Sequence, residues 1–134
     1  MDGREMVELV KRELGQRLEQ GRQAGIERER IVLDPGFSFG KAYGRNYFLL
    51  AGLEELSNLG QPMLAGVSRK GFLGRTLSPL YHGVDAPVGS RGSASLAAVT
   101  AAILAGAHLV RVHDVRPARE AAAIADAVLS TSDK

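Results

Sequence analysis

Three short apolar runs alternate with longer amphipathic segments, and this alternation restricts the fold more than any other feature of the sequence. The runs cover residues 31–33, 63–67 and 107–112. The first is too short and too uniformly apolar for an amphipathic helix, so it predicts a strand buried on both faces. Strands that alternate with helices are typical of parallel sheets joined by right-handed crossovers. The sequence therefore predicts an α/β fold with three parallel strands.

The segments around these runs have the apolar spacing of helices. In the first segment, Met6, Val10, Leu14 and Leu18 recur near a period of 3.6 residues, and Gly25 follows as a C-cap. Four helices are predicted, over residues 4–24, 45–59, 91–105 and 117–129, with a further short helix near 71–77. A closed barrel of parallel strands needs eight strands and about 250 residues. Three strands therefore indicate the back portion of a larger fold.

Each apolar run is followed by charged or polar side chains. Asp34 follows the first run, Arg69 and Lys70 follow the second, and Arg111 and His113 end the third. Ligands bind at the carboxyl ends of the strands in parallel α/β folds. The i, i+2 spacing of Arg111 and His113 also places both side chains on one side of their strand. We therefore expect a site for a polar, anionic ligand at this edge of the sheet.

Plainer interpretations exist for the same residues. Asp34 precedes Pro-Gly and is suited to a turn. Arg69 and Lys70 could be ordinary surface charges, but adjacent side chains point in different directions, so one should face the site, and Lys70 is assigned to it. His113 could be a strand-end histidine whose hydrogen bonds are satisfied locally. Asp114 is interpreted as a helix-start or loop residue, and no function is assigned to His82 or His108.

The composition excludes several classes of function. The 134 residues carry a net charge of only +2, and the basic side chains of the first helix are matched by acidic ones, unlike a nucleic-acid-binding patch. No apolar run approaches the roughly 20 residues that span a bilayer, so no membrane interaction is expected. Cysteine is absent, which excludes thiolate metal sites and fits a reducing compartment such as the cytoplasm. No residue set has transition-metal spacing, and no metal ligand is assigned.

Three motifs at the strand ends resemble the dihydropteroate synthase family. Residues 34–41 (DPGFSFGK), 66–70 (GVSRK) and 111–115 (RVHDV) are similar, in this order, to the last three strand ends of that family's barrel. The resemblance covers nearly the whole chain but only about the C-terminal half of the family's (β/α)8 TIM barrel. It implies one domain over residues 1–134, containing the last three parallel strands of a partial barrel and four flanking helices.

The resemblance also implies an activity. The family condenses 6-hydroxymethyl-7,8-dihydropterin pyrophosphate with p-aminobenzoate, giving 7,8-dihydropteroate and pyrophosphate in folate biosynthesis. By resemblance, Asp34 accepts hydrogen bonds from the pterin, Lys70 reaches the pterin and lines the aminobenzoate pocket, and Phe39 packs near the aminobenzoate ring. Arg111 stacks on the pterin and, with His113, holds the pyrophosphate. Lys70, Arg111 and His113 are thus the expected catalytic residues.

The same resemblance implies a cofactor and partners. Magnesium is expected, although its usual ligand is an asparagine of the family's first strand, which has no counterpart here. A homodimer, or association with a missing N-terminal half, is expected, and catalysis is expected to require that half. The sequence departs from the family at Ser38, where glycine is usual, and at Gly71, where many members have serine.

Two other functions remain open. The chain could be a non-catalytic module that binds a pterin or an anion, or an inactive domain whose open sheet edge associates with itself or a partner. The pterin-binding barrels of folate-dependent methyltransferases are a related possibility, but residues 68–70 and 111–113 resemble the synthases more closely.

Overall fold

The first helix is capped at both ends. The structure, a computed structural model, describes residues 2–37 and 43–131. Helix α1 covers Gly3–Gln23, and Asp2 and Glu5 form a capping box at its start, with hydrogen bonds of 2.8 and 3.1 Å. Gly25 follows the helix with a φ of +88°, a conformation that glycine adopts without steric cost. The helix predicted over residues 4–24 and its terminating glycine are confirmed within one residue.

Three parallel segments form the sheet. Strand β1 (Leu64–Ala65) pairs in parallel with β2 (Leu109–Val110). On the other side of β1, Leu33 forms a single parallel bridge with Met63. The spatial order is therefore the Leu33 bridge, β1 and β2, which is also their order along the chain. The predicted parallel arrangement is confirmed, and the three carboxyl ends meet at one edge.

The strands are shorter than the sequence indicates. In the structure, the run at 31–33 contributes only the bridge at Leu33, and strands β1 and β2, in the other two runs, contain two residues each. The expectation that the first strand is buried on both faces is wrong, because Val32 is 45% exposed; in β2, Leu109 is 43% exposed. Within the described residues, both segments are the edges of a three-segment sheet, where no further strand covers them.

The helix predicted over residues 45–59 is divided in two. Helix α2 covers Tyr43–Ala51 and α3 covers Leu53–Ser57. Gly52 lies at the break, and a Cβ atom placed there would come within 2.7 Å of a Val7 methyl carbon of α1. Glycine is a poor helix former and also permits this close approach, so the interruption has a local cause and a packing cause.

The remaining helices follow β1 and β2. Helix α4 covers Gly71–Thr76, α5 covers Gly92–Leu104 and α6 covers Val115–Ser130. Short 3-10 turns lie at Arg28–Arg30, Ser78–Leu80 and Val88–Ser90. The short helix near 71–77 is confirmed, whereas the last helix begins two residues before the predicted start at Pro117. Proline is tolerated there because it still lies in the first turn. The described residues thus contain six α-helices, one more than the four long helices and one short helix predicted, because the second long helix is divided.

The core is formed by side chains from the sheet and the helices around it. The largest fully buried side chains are Phe37, Asn46, Leu49, Leu53, Leu56, Met63, Val67 and Val99. The sheet segments therefore rest on an apolar layer drawn mainly from α2, α3 and α5. No helix within residues 2–37 and 43–131 is both long enough and apolar enough to cross a membrane.

Candidate functional site

A pocket opens at the carboxyl edge of β1 and β2. Its volume is about 180 Å³, and it is lined by Gly66, Ser68, Lys70, Arg111 and His113. The lining residues are alternate positions of two neighbouring segments, while Ala65 and Val67 are buried in the core. Arg111 and His113 follow the two-residue alternation of extended chains, whereas Lys70 reaches the pocket after a turn at residues 68–69. The structure therefore brings together three of the predicted site residues, Lys70, Arg111 and His113.

Lys70 connects the pocket to the loop after Leu33. Its ammonium group donates a hydrogen bond of 3.1 Å to the Phe37 carbonyl oxygen. Phe37 is 1% exposed, and its ring stacks on Phe72 of α4 with a centroid separation of 6.3 Å. The aromatic contact fixes the carbonyl that receives the lysine, so core packing positions a charged group at the edge of the sheet.

Asp34 adopts the turn that its Pro-Gly context predicts. The Gly36 backbone N–H donates to the Asp34 carboxylate at 2.9 Å, which is an Asx turn. Asp34 is exposed and is not one of the five residues that line the 180 Å³ pocket. The Asp34 loop and the pocket nevertheless meet where Phe37 contacts Lys70. Phe39, the other predicted substrate-binding residue, lies outside the described residues.

Arg111 and His113 provide the opposite side of the pocket. The Arg111 backbone N–H donates to the Ala65 carbonyl at 3.1 Å, which extends the parallel ladder beyond β2. The Arg111 side chain is exposed and forms no hydrogen bond or ion pair with the described part of the chain. His113 Nδ1 lies 2.8 Å from Ser68 Oγ. One cation can therefore turn toward a ligand, whereas the imidazole is held by a neighbour.

Arg69 lies on the other side of the same turn, away from the pocket. Its φ of +57° is uncommon for a residue other than glycine. Its backbone N–H donates to Ser95 Oγ at 2.8 Å, and its guanidinium contacts both carboxylate oxygens of Asp114, at 3.0 and 3.2 Å. Arg91 donates to the Arg69 carbonyl at 3.0 Å. These contacts hold the turn in its strained conformation and direct Ser68 and Lys70 toward the pocket.

Two polar residues of this region were missed from the sequence. Ser68 lines the pocket, and Asp114 joins the segment after β2 to the Arg69 turn. The alternation that selects Arg111 and His113 also selects Ser68 with Lys70, so Ser68 could have been predicted. The contact of Asp114 with Arg69 could not, since it spans 45 residues and depends on the unusual turn.

The pocket suits an anion better than a cation. Lys70 and Arg111 supply positive charge, and none of the five lining residues is acidic. Magnesium prefers oxygen ligands, and among the described lining residues the one side-chain oxygen belongs to Ser68, which is bonded to His113. Within residues 2–37 and 43–131, no cluster of three or more His, Asp or Glu side chains could hold a metal ion. The described residues of this pocket therefore do not fit magnesium.

A larger cavity lies between the helices and has a different character. It has a volume of about 450 Å³ between α1 and α2, with Val7 and Phe48 among its apolar lining residues. Size alone would favour it as a ligand site. It contains none of the polar residues from the strand ends, however, and its charged lining residues lie at the exposed helix surfaces. We take the smaller pocket as the candidate site because charge and hydrogen-bonding groups converge there.

A comparison with protein families identifies the group to which this fold and pocket belong. Residues 1–113 match the family model described as pterin binding enzyme. The chain belongs to the pterin-binding enzyme family. The matched residues include α1, both strands, the Asp34 loop and all five residues of the pocket, so the family assignment rests on the whole candidate site and on its scaffold.

Individual members of the pterin-binding enzyme family are similar in sequence and in structure. The dihydropteroate synthase of Escherichia coli K12 is 42% identical over 111 residues, which are 83% of this chain and 37% of that protein. A Coxiella burnetii dihydropteroate synthase in complex with pteroic acid matches with a TM-score of 0.90 and 35% identity, over 98% of this chain and 46% of that chain. A Xanthomonas albilineans dihydropteroate synthase with 4-aminobenzoic acid matches with a TM-score of 0.84 and 39% identity, over 92% and 43% of the two chains.

The similarity confirms the predicted family and defines its extent. This chain spans less than half of the length of these relatives, 37% to 46%. The α/β class with parallel strands agrees with that of the structural neighbours. The predicted roles of Asp34, Lys70, Arg111 and His113 in substrate binding and catalysis stay predictions, although three of the four now share one pocket.

Proposed function

We propose that this chain provides the pyrophosphate-binding edge of a dihydropteroate synthase, acting in folate biosynthesis as part of a complete (β/α)8 barrel. One observation carries the proposal: Lys70, Arg111 and His113 converge on a single pocket in a chain that belongs to the pterin-binding enzymes. The relatives solved with pteroic acid and with 4-aminobenzoic acid support the same pair of substrates, a pterin pyrophosphate and p-aminobenzoate.

The chemistry requires stabilisation of a leaving group. The amine nitrogen of p-aminobenzoate forms a bond to the methylene carbon of the pterin as that carbon's bond to oxygen breaks, and the amine loses a proton. The bonding electrons leave with the diphosphate, whose negative charge increases. Lys70 is held by the Phe37 carbonyl and Arg111 lines the same pocket, and positive charge placed where the anion develops stabilises it. Arg111 and His113 would hold the departing pyrophosphate between them.

The remaining roles follow from the family. Asp34 would accept hydrogen bonds from the N–H groups of the pterin, and a carboxylate makes charge-assisted bonds of this type stronger than neutral ones. Phe39 would pack against the aminobenzoate ring. Magnesium stays part of the proposal through the family alone, and no step above depends on it, because the described pocket residues do not fit that ion.

The proposed barrel is incomplete in this chain. Within the described residues, Leu33 and β2 each pair on one side only, so both edges can receive further strands. We propose that additional strands of the family's barrel, from the same polypeptide or from a partner, close the sheet. A homodimer and a cytoplasmic location complete the proposal, the first by family resemblance and the second from the absence of cysteine.

Complementation tests the activity. The chain is assayed for incorporation of labelled p-aminobenzoate, first alone and then with a supplied N-terminal half of a relative. We expect product only in the second case, and at least a tenfold loss with Arg111→Ala, the loss typical of a removed charged hydrogen bond, roughly 1.5 kcal/mol or more. Arg116→Ala, which changes an exposed arginine of α6, is the matched control. No product with either arrangement would refute the catalytic proposal.

A binding module without catalysis is the second candidate. The pocket favours this candidate because all five described lining residues belong to this chain, whereas the chain covers only 37% of a complete relative. In this case the chain alone binds a pterin or pyrophosphate, and Asp34→Ala and Lys70→Ala weaken binding without any activity being present. Isothermal titration with each ligand distinguishes the two candidates when it is combined with the complementation assay.

A further inference from the structure

The geometry points to Ser68 as a positioning residue that orients His113 toward the anion in the pocket. This inference rests on the proposed function, because it concerns how one pyrophosphate ligand is held. Ser68 Oγ and His113 Nδ1 lie 2.8 Å apart. Both residues line the same pocket, in which Lys70 and Arg111 are the cations.

Ser68 is well placed to fix the ring. It is 7% exposed, whereas His113 is exposed, so the hydroxyl is the immobile member of the pair. A histidine at the end of a strand can otherwise turn about its side-chain torsions, and its Nδ1 and Nε2 atoms exchange positions when the ring flips. The bond to Ser68 commits Nδ1 to the protein and leaves Nε2 for the pocket.

The hydroxyl suits this role in both charge states of histidine. A serine hydroxyl can donate one hydrogen bond and accept others. A Ser68 hydroxyl that donates to Nδ1 of a neutral imidazole selects the tautomer in which Nε2 carries the ring proton. When the imidazole is charged, Nδ1–H donates to Ser68, and Nε2 again carries a proton. In both of these arrangements the atom left for the pocket is a hydrogen-bond donor, which is the polarity that a diphosphate oxygen requires.

The backbone around Ser68 is held by contacts of the next residue. The next residue, Arg69, has a φ of +57° and is bound by Ser95, Arg91 and Asp114 through its N–H, its carbonyl and its side chain. Asp114 directly follows His113 in sequence, so the Arg69–Asp114 pair also joins the serine and histidine segments. The Arg69–Asp114 pair therefore helps to keep Ser68 and His113 within hydrogen-bonding distance.

Nuclear magnetic resonance and titration with inorganic pyrophosphate test the inference on the full chain. The ring nitrogens of the histidines are observed in the unchanged protein and in Ser68→Ala, Ser68→Cys and Ser68→Thr. Ser68→Ala should shift the Nδ1 resonance of His113 toward that of a nitrogen without a partner. It should also lower pyrophosphate affinity about three- to tenfold, which is the loss expected for one misaligned hydrogen bond. Ser68→Thr keeps the hydroxyl and should restore both properties.

Controls separate positioning from folding. His108, whose Nδ1 lies 3.4 Å from the Met63 backbone nitrogen, is the internal reference and should not shift. Ser57→Ala removes an exposed hydroxyl of α3 and should change neither property. Ser68→Cys is close to serine in size but hydrogen-bonds weakly, so it should behave like Ser68→Ala even if the alanine variant fails to fold.

The possible results distinguish failure of the role of Ser68 from failure of the proposed anion site. An unchanged Nδ1 resonance in Ser68→Ala or Ser68→Cys overturns the inference. So does unaltered pyrophosphate binding in a variant whose Nδ1 resonance has moved. If the unchanged protein does not bind pyrophosphate, the proposed anion site fails and the role of Ser68 fails with it. If the unchanged protein binds pyrophosphate and the Ser68 variants bind it equally well, the role of Ser68 alone is refuted.

Discussion

The strand-end pocket and the packing of α1 against α2 and α3 are built in opposite ways. In the pocket region, directional bonds such as Ser68–His113 and Arg69–Asp114 set the positions of exposed or half-exposed groups. In the helical layer, Leu49, Leu53 and Leu56 are fully buried, and apolar packing predominates. The difference indicates that the two regions contribute differently, the helical layer to stability and the pocket to ligand geometry.

The largest expected effect breaks the helical layer. Leu49→Ala removes a completely buried side chain of α2 and should lower the free energy of unfolding by about 2–5 kcal/mol, from lost burial and a residual cavity. Urea unfolding measures this change, and Leu80→Ala, at a 78% exposed side chain, should lower it by about 0.5 kcal/mol or less. Similar losses in the two variants would show that burial of Leu49 in the helical layer adds no stability.

The next effect concerns ligand binding with little change in stability. Lys70→Met keeps most of the side-chain length but removes the ammonium group that bonds the Phe37 carbonyl. Pyrophosphate affinity should fall about tenfold to a hundredfold, as expected for a lost charged hydrogen bond. Titration calorimetry measures the affinity, and Arg75→Met, which removes the cation over the Tyr43 ring instead, should leave it unchanged. Equal losses in both variants would show that only the overall charge matters.

A smaller effect should follow from weakening the connection between the two pocket segments. Asp114→Asn replaces a carboxylate bound to Arg69, and because both side chains are partly exposed, the stability loss should be about 1 kcal/mol or less. Increased mobility of residues 68–70 should accompany it, which backbone relaxation can detect. We expect the mobility of residues 68–70 to increase while the free energy of unfolding hardly changes. A large loss of stability with no local mobility would contradict this expectation.

The smallest effect lies at the surface of the helical layer. Lys11 Nζ donates to the Glu55 carboxylate at 2.8 Å, and this bond, with the attraction of the lysine charge, lowers the pKa of Glu55. A lowered carboxyl pKa contributes stability above the unfolded-state value, and that contribution disappears as pH falls through the folded-state value. Lys11→Met should therefore raise the pKa of Glu55. The free energy of unfolding should then depend slightly less on pH in the acid range. A Glu55 titration that is unchanged by Lys11→Met would refute this.

Sequence patterns predicted those parts of the fold that depend on local chemistry. The first helix and its glycine end follow from apolar spacing and a terminating glycine. The break at Gly52 was missed because apolar spacing continues through it, and the cause is a methyl group of Val7 from another helix. The exposure of Val32 was missed because burial depends on neighbouring strands, not on the apolar character of the run.

The site was predicted in part for the same reason. Arg111 and His113 face the pocket because two-residue alternation and parallel pairing are regular, and both can be predicted from the sequence. Lys70 joins them after a left-handed turn at Arg69. The bond from Lys70 to Phe37 depends on an aromatic contact with α4, and the Arg69–Asp114 pair depends on a left-handed turn. Such contacts depend on the tertiary arrangement of distant segments, so local sequence patterns do not predict them.

The left-handed turn at Arg69 makes the chain sensitive to length at this point. The N–H, the carbonyl and the side chain of Arg69 each have a separate partner, so a residue inserted between Val67 and Ser68 would place different groups at these contacts. The hydroxyl and the ammonium that line the pocket would then lose the support that directs them into it. Substitutions here adjust single contacts, whereas an insertion of one codon would displace the whole surface that meets the ligand.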